Sequence, residues 1–276
     1  ADHGAAGGGF LALGLIAHFL VQPRAQHQKR LGLVLVLAAL ILADHHQPGG
    51  DLIAMTIGEP RHPMPPFVAD VLNDAIGGFA RYPANNGTME LLAAISGWIK
   101  RRYGVEIEQD RLMALNGTRE GLFNAAVALS PEVKNGKQPI ILTPNPFYQV
   151  YAIGALTAGA EPMFVPATAA TGYLPDYAGL PADVLDRVTV AYLCSPGNPQ
   201  GAVADTAYWA SLLALAEKHD FRVFADECYA EIYRDTPPVG AMQVAAAMGA
   251  DPERLVIFHS LSKRSNLPGL RSGFCA

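Results

Sequence analysis

The chain has 276 residues, half of them apolar and 16% charged, with a formal net charge of −5. That is enough apolar sequence for one large α/β domain, alone or with a small second one. The acidic balance argues against a general nucleic-acid surface, which needs clustered Lys and Arg.

Residues 1–48 carry two apolar runs, FLALGLIAHFLV (10–21) and LGLVLVLAALILA (31–43), split by QPRAQHQKR. Each run is shorter than the roughly 18–20 apolar residues that span a bilayer. Neither has the charged start and small-residue cleavage site of a secretory signal. We read 1–48 as an atypical apolar segment, a helix that packs on a partner, with no membrane span. After PGG (48–50) the texture changes, and 49–276 reads as the main domain.

Helical spacing runs through 65–79, with Pro at its start and Gly at its end. It recurs in GTMELLAAISGWIKRRYG (87–104), with Thr88 as cap and Gly104 as stop. TREGLFNAAVALS (118–130) is a third helix, and 147–159 and 206–220 are further ones. The basic run KRRYG (100–104) reads as an exposed helix end whose cations suit the macrodipole. Apolar strands are expected at 138–144, 161–166, 188–196, 221–227 and 254–260. Strands alternating with helices predict an α/β three-layer sandwich with a mostly parallel central sheet. The strands are near-continuous apolar runs, as strands covered on both faces must be. No internal repeat or low-complexity tract is present. The cysteines, Cys194, Cys228 and Cys275, lie far apart with no C-x-x-C pair. No disulfide framework and no metal site is expected, and a reducing compartment fits.

In such sheets ligands bind beyond the carboxyl ends of the strands. The polar groups just after each strand are therefore the informative ones: TPNPFY (143–148), SPGNPQG (195–201), ADECYAE (225–231) and HSLSKRS (259–265). NGTREG (116–121) adds a Gly turn entering a helix, whose N–H groups suit a phosphate. Taken singly, each residue has an ordinary reading. Lys263 could be a solvated lysine, Asp226 a helix cap, Asn198 a turn residue and Tyr148 a core aromatic. A lysine shielded at a strand end can instead lose its proton and form a Schiff base with a carbonyl.

In chain order, a phosphate turn, an aromatic, an Asn, Asp-x-x-Tyr and a Lys resemble the fold-type I pyridoxal-phosphate enzymes. The motifs are Y-P-x-x-x-G, N-G-T-x-E, P-x-x-Y, P-x-N-P-x-G, D-E-x-Y and S-x-S-K with Arg eight residues on. They resemble the class I/II aminotransferases from about Asp51 to Ala276. IGEPRH (57–62) and SLSKRSNLPGLRSGF (260–274) are similar to succinyldiaminopimelate aminotransferases.

The resemblance implies roles. Lys263 holds pyridoxal 5′-phosphate and is the base, and Asp226 pairs with the ring nitrogen. Asn198 and Tyr229 bond the ring's 3-oxygen, and Tyr148 stacks on its face. The N–H groups of Gly117, Thr118 and Arg119, with Ser260 and Arg271, cradle the phosphate. Tyr82 reaches the phosphate of the other subunit of a homodimer, and Gly58 and Asn198 meet the substrate. The implied reaction is transamination of N-succinyl-L,L-diaminopimelate with 2-oxoglutarate, giving glutamate, in a cytoplasmic enzyme of lysine and diaminopimelate biosynthesis.

The family also has a small C-terminal domain with a substrate-carboxylate arginine. That region is missing from this sequence, so the isolated chain is expected to be inactive. Rival readings are another class I/II aminotransferase or a carbon–sulfur lyase using the same lysine. A third is a ligand-sensing domain without activity, and a fourth an S-x-x-K acyl-transfer enzyme using Ser260 and Lys263.

Overall fold

The computed structural model describes residues 58–276. The expected N-terminal helix lies outside the described residues, as do residues 49–57. The described helices are α1 (Phe67–Ala75), α2 (Met89–Tyr103), α3 (Thr118–Leu129), α4 (Gln149–Thr157), α5 (Ala182–Leu185), α6 (Thr206–Lys218), α7 (Ala241–Met248) and α8 (Leu261–Arg264). The strands are β1 (Met113–Leu115), β2 (Ile140–Asn145), β3 (Glu161–Pro166), β4 (Val188–Cys194), β5 (Arg222–Asp226), β6 (Leu255–Ser260) and β7 (Gly273–Cys275). They form one sheet in the order β1-β7-β6-β5-β4-β2-β3.

Five expected strands and five expected helices appear at or within a few residues of their positions, because both patterns were strong. Strand β7 alone runs against its neighbours, pairing antiparallel with β1 and with β6. The other six therefore point the same way, and their carboxyl ends share one edge. That edge holds the turn after β1 as well as the ends of β4, β5 and β6. The sequence reading had neither β1 nor β7. Each is three residues long, too short for a periodic signal.

Alternate residues of each inner strand enter opposite cores. Ile140 and Leu142, Ala191 and Leu193, Val223 and Ala225, and Ile257 pack on one face with Trp209 and Leu212 of α6 and Val244 of α7. Ile141, Val190, Tyr192, Phe224 and Phe258 pack on the other, against Leu122 and Ala126 of α3 and Tyr151 and Ala155 of α4. This is the three-layer arrangement, and it explains why these strands lack polar alternation. A large apolar side chain fully buried in either layer contributes about 1.5–3 kcal/mol.

Helix α2 carries a third cluster, placing Leu92, Ile95, Ile99 and Tyr103 against Leu112 and Phe274. Its start is fixed by Thr88, whose hydroxyl accepts from the Leu91 N–H at 3.3 Å. Its end is fixed by Gly104 at φ 70°. The KRRYG reading needs correction here. Arg102 is largely covered and donates to Glu231 at 2.7 Å and to the Pro238 carbonyl at 3.0 Å, and Tyr103 is buried. The run is partly a tie into the domain, with Lys100, Arg101 and Gly104 left at the surface.

Strand β7 is close-packed against β6. A Cβ added to Gly273 would lie 2.6 Å from the His259 carbonyl oxygen. That atom is backbone and cannot step aside. Gly273→Ala is expected to lower unfolding free energy by about 1–3 kcal/mol in a urea titration. A loss too small to measure would mean that β7 is not held as described.

Candidate active site

Asp226 ends β5, and only 4% of its surface is exposed. A carboxylate buried there needs donors. The hydroxyl of Tyr151, on α4, donates to Oδ2 at 2.6 Å, and the Cys228 N–H donates to Oδ1 at 3.3 Å. Asp226 does not start a helix, as its ordinary reading required; residues 228–231 form turns. Tyr151 is fully covered and stacks on Tyr192, with centroids 4.2 Å apart and planes 14° from parallel. Burial first, and then the Asp226 charge, push its phenol well above the usual range. It therefore stays a neutral donor. Oδ1 keeps a lone pair for a further proton donor.

The residues after the neighbouring strands gather around this carboxylate. Tyr148 packs edge-on to Tyr151 at 5.8 Å. Thr118, the first residue of α3, meets the Cys228 sulfur at 3.0 Å. Asn198 donates its side-chain amide to the Tyr229 hydroxyl at 3.1 Å. Burial is the main reason that the Tyr229 phenol is pushed up to about 12, with the Asn198 bond pulling it down. The thiols of Cys194 and Cys228 are raised well above their usual value, by burial and then by Asp226. They are neutral and unsuited to nucleophilic work.

At the end of β6, Ser260 caps α8, its hydroxyl accepting from the Ser262 N–H at 3.0 Å. Lys263 lies within α8 and its amine donates to the Gly58 carbonyl. Helix α8 has four residues. It is not the long helix on which S-x-x-K chemistry carries both residues. Arg271 folds back across the turn after β1, with its backbone at φ 53°. Its guanidinium donates to the Pro268 carbonyl at 3.0 Å, the Asn116 carbonyl at 3.4 Å and Glu120 at 3.1 Å.

A Cβ on Gly117 would lie 2.1 Å from Arg271 Nη2. Gly117, at φ 92°, is therefore the residue that lets the guanidinium close over the helix start. Arg119 is exposed on α3, and its charge lowers the Tyr148 phenol against the effect of burial. One predicted residue stands apart: Tyr82 is fully exposed. Gly58 is brought to Lys263 through its carbonyl, and its Cα side is open, with nothing within 4 Å of where a Cβ would be.

Sequence reasoning missed Tyr151, which sits three residues past Tyr148 and so one helical turn along. It also missed the cluster beside the site. Tyr103 donates to Glu227 Oε2 at 2.6 Å, His259 Nε2 lies 3.1 Å from the same oxygen, and the Ala241 N–H donates to Oε1 at 2.7 Å. All three side chains are buried. Glu227 follows Asp226 and His259 precedes Ser260, so this cluster locks the two strand ends that carry the site.

The comparisons with known proteins follow this geometry. The family model "Aminotransferase class I and II" matches residues 50–276. The chain belongs to that family. It is 34% identical over 240 residues to the LL-diaminopimelate aminotransferase of Desulforudis audaxviator, covering 86% of this chain and 59% of that relative. Among solved structures, an aminotransferase from Neisseria meningitidis superposes with a TM-score of 0.78 at 38% identity, over 83% of this chain and 58% of the other. A probable N-succinyldiaminopimelate aminotransferase from Thermus thermophilus gives 0.70 at 30% identity, over 81% and 59%. The chain thus spans a little under three-fifths of the relatives it matches.

Pyridoxal phosphate is this family's cofactor, and the residues fit it. The start of α3 and the guanidinium over Gly117 suit its phosphate. The remaining lone pair of Asp226 suits a protonated ring nitrogen. No group of three His, Cys, Asp or Glu that could hold a metal occurs among the described residues.

Burial raises the Glu227 pKa, but the bonds from His259, Tyr103 and Ala241 outweigh it and hold the carboxyl below its usual 4.5. Its stabilisation is then complete above pH 4.5 and is lost as pH falls through the depressed value. Glu227→Gln is expected to cost about 2–4 kcal/mol at pH 7. It should also make the acid-side fall in stability shallower. Denaturant titrations from pH 7 to pH 3 test both, and an unchanged acid limb would refute the charge assignment.

Proposed function

We propose that the protein moves an amino group between an amino acid of the diaminopimelate type and a 2-oxo acid, using pyridoxal phosphate. The observation that carries this reading is a buried carboxylate and an amine placed after adjacent parallel strands. Asp226 ends β5, Lys263 lies three residues past the end of β6, and the two strands pair in register through Asp226 and Phe258.

When bound, the cofactor supplies an aldehyde that takes an amine and a ring that draws electrons from the adjacent carbon. Asp226 holds the proton on the ring nitrogen, with its other oxygen held by Tyr151. Lys263 holds the cofactor at rest. When not holding the cofactor, the Lys263 amine would serve as the base for the substrate's α-proton and then as the acid that returns it. Asn198 and Tyr229 bond the ring's 3-oxygen, and Tyr148 covers the ring face. The N–H groups of Gly117, Thr118 and Arg119 hold the phosphate, with Ser260 and Arg271. Gly58 and Asn198 meet the substrate. The Gly58 carbonyl also accepts from Lys263, which ties the substrate loop to the reacting amine.

The protein is proposed to work as a cytoplasmic homodimer, with Tyr82 turned toward the partner's phosphate. Its full exposure supports this, as do the exposed apolar side chains of Phe67, Val71, Ile76 and Phe79 just before it. The N-succinyl substrate is supported by the IGEPRH and SLSKRS motifs and by the name of the Thermus neighbour. The unsuccinylated LL-diaminopimelate is supported by the name of the Desulforudis relative. Assays of both with 2-oxoglutarate would separate them.

The first test is chemical. The chain is mixed with pyridoxal phosphate and reduced with borohydride, and the labelled peptide is found by mass. A pyridoxyl group on Lys263, and none in Lys263→Ala, is expected. A label on another lysine, or equal labelling of the variant, would contradict the reading.

A further inference from the structure

The contact between Glu120 and Arg271 is used by no step above. Glu120 lies in the first turn of α3, where the phosphate cradle is proposed, and its carboxylate accepts from Arg271 Nη2 at 3.1 Å. An anion in that place opposes a phosphate. A guanidinium has five N–H donors, two on each Nη and one on Nε. Here the two Nη2 hydrogens go to Glu120 and to the Asn116 carbonyl, and one Nη1 hydrogen goes to the Pro268 carbonyl. Both edges of a guanidinium that can grip an anion with two parallel bonds include Nη2. A phosphate bound in that way must therefore take Nη2 from Glu120, or share it beside the carboxylate.

We infer that Glu120 is a positioning residue that stands in for the phosphate, holding Arg271 over Gly117 while the site is empty and competing with the phosphate as it enters. The inference rests on the phosphate role proposed for Arg271. Glu120 shares that holding with two backbone carbonyls, so Arg271 keeps its place when only the Glu120 charge is removed. The Pro268 and Asn116 carbonyls hold its nitrogens, and the open side of Gly117 receives the guanidinium. Glu120 thus sets how tightly the phosphate is bound and how readily the cofactor leaves. Both side chains are about half exposed, so the effect is modest and screened by salt.

The test compares the full chain with Glu120→Gln, which keeps an acceptor for Nη2 and removes the charge. Affinities are measured for inorganic phosphate by calorimetry, and for pyridoxal phosphate and pyridoxal by absorbance. The variant is expected to bind inorganic phosphate and pyridoxal phosphate about three- to tenfold more tightly at low salt, with the gain shrinking at high salt. Its affinity for pyridoxal, which lacks the phosphate, should not change. A merely structural role for Glu120 would not separate these ligands. Equal or weaker phosphate binding by the variant would overturn the inference, as would no phosphate binding by either protein. If phosphate behaves as expected but neither protein takes up pyridoxal phosphate, the cofactor reading fails and the role of Glu120 stands.

Discussion

The site depends on giving one buried carboxyl group its hydrogen-bond donors. Asp226 is almost wholly covered, and an unpartnered charge there would cost several kcal/mol. The neutral phenol of Tyr151 and the backbone N–H of Cys228 supply the donors. Tyr151 can do so because its ring is stacked on Tyr192, which is fixed in turn by a 2.7 Å bond from its hydroxyl to the Leu122 carbonyl. The line runs from α3 through β4 and α4 to the end of β5. It makes Asp226 a rigid acceptor at the strand ends and ties that edge to the core.

The direction of the strands does the rest. Six strands point to one edge, so turns distant in sequence meet there without long loops. The single reversed strand, β7, joins β1 to β6 and so brings the Gly117 turn beside the strand that leads to Lys263. Arg271, two residues before β7, can then reach back over Gly117. Behind this edge, the buried Tyr103, Glu227 and His259 cross-link α2 to the ends of β5 and β6. Such satisfied polar groups fix one arrangement where apolar packing alone would allow several.

The strands covered on both faces were legible because burial on both sides leaves a continuous apolar run. Tyr148, Asn198, Asp226 and Lys263 could be singled out as candidates because each ends or follows such a run. What escaped was of two kinds. Strands β1 and β7 are too short to show a period, and their pairing is set by the turn that Gly117 and Arg271 build. Tyr151, Glu227 and His259 look like ordinary core or surface residues until three dimensions bring them to a partner. The misreading of KRRYG has the same origin. Cations at a helix end satisfy the macrodipole whether or not they are covered, and only the contact of Arg102 with Glu231 reveals which.

The most direct measurement is a crystal structure of the chain grown with pyridoxal phosphate. The account predicts the ring nitrogen within hydrogen-bonding distance of Asp226 Oδ1, the phosphate at the start of α3 under Arg271, and continuous density to the Lys263 amine. A ring nitrogen facing away from Asp226, or a cofactor bound elsewhere in the chain, would contradict it.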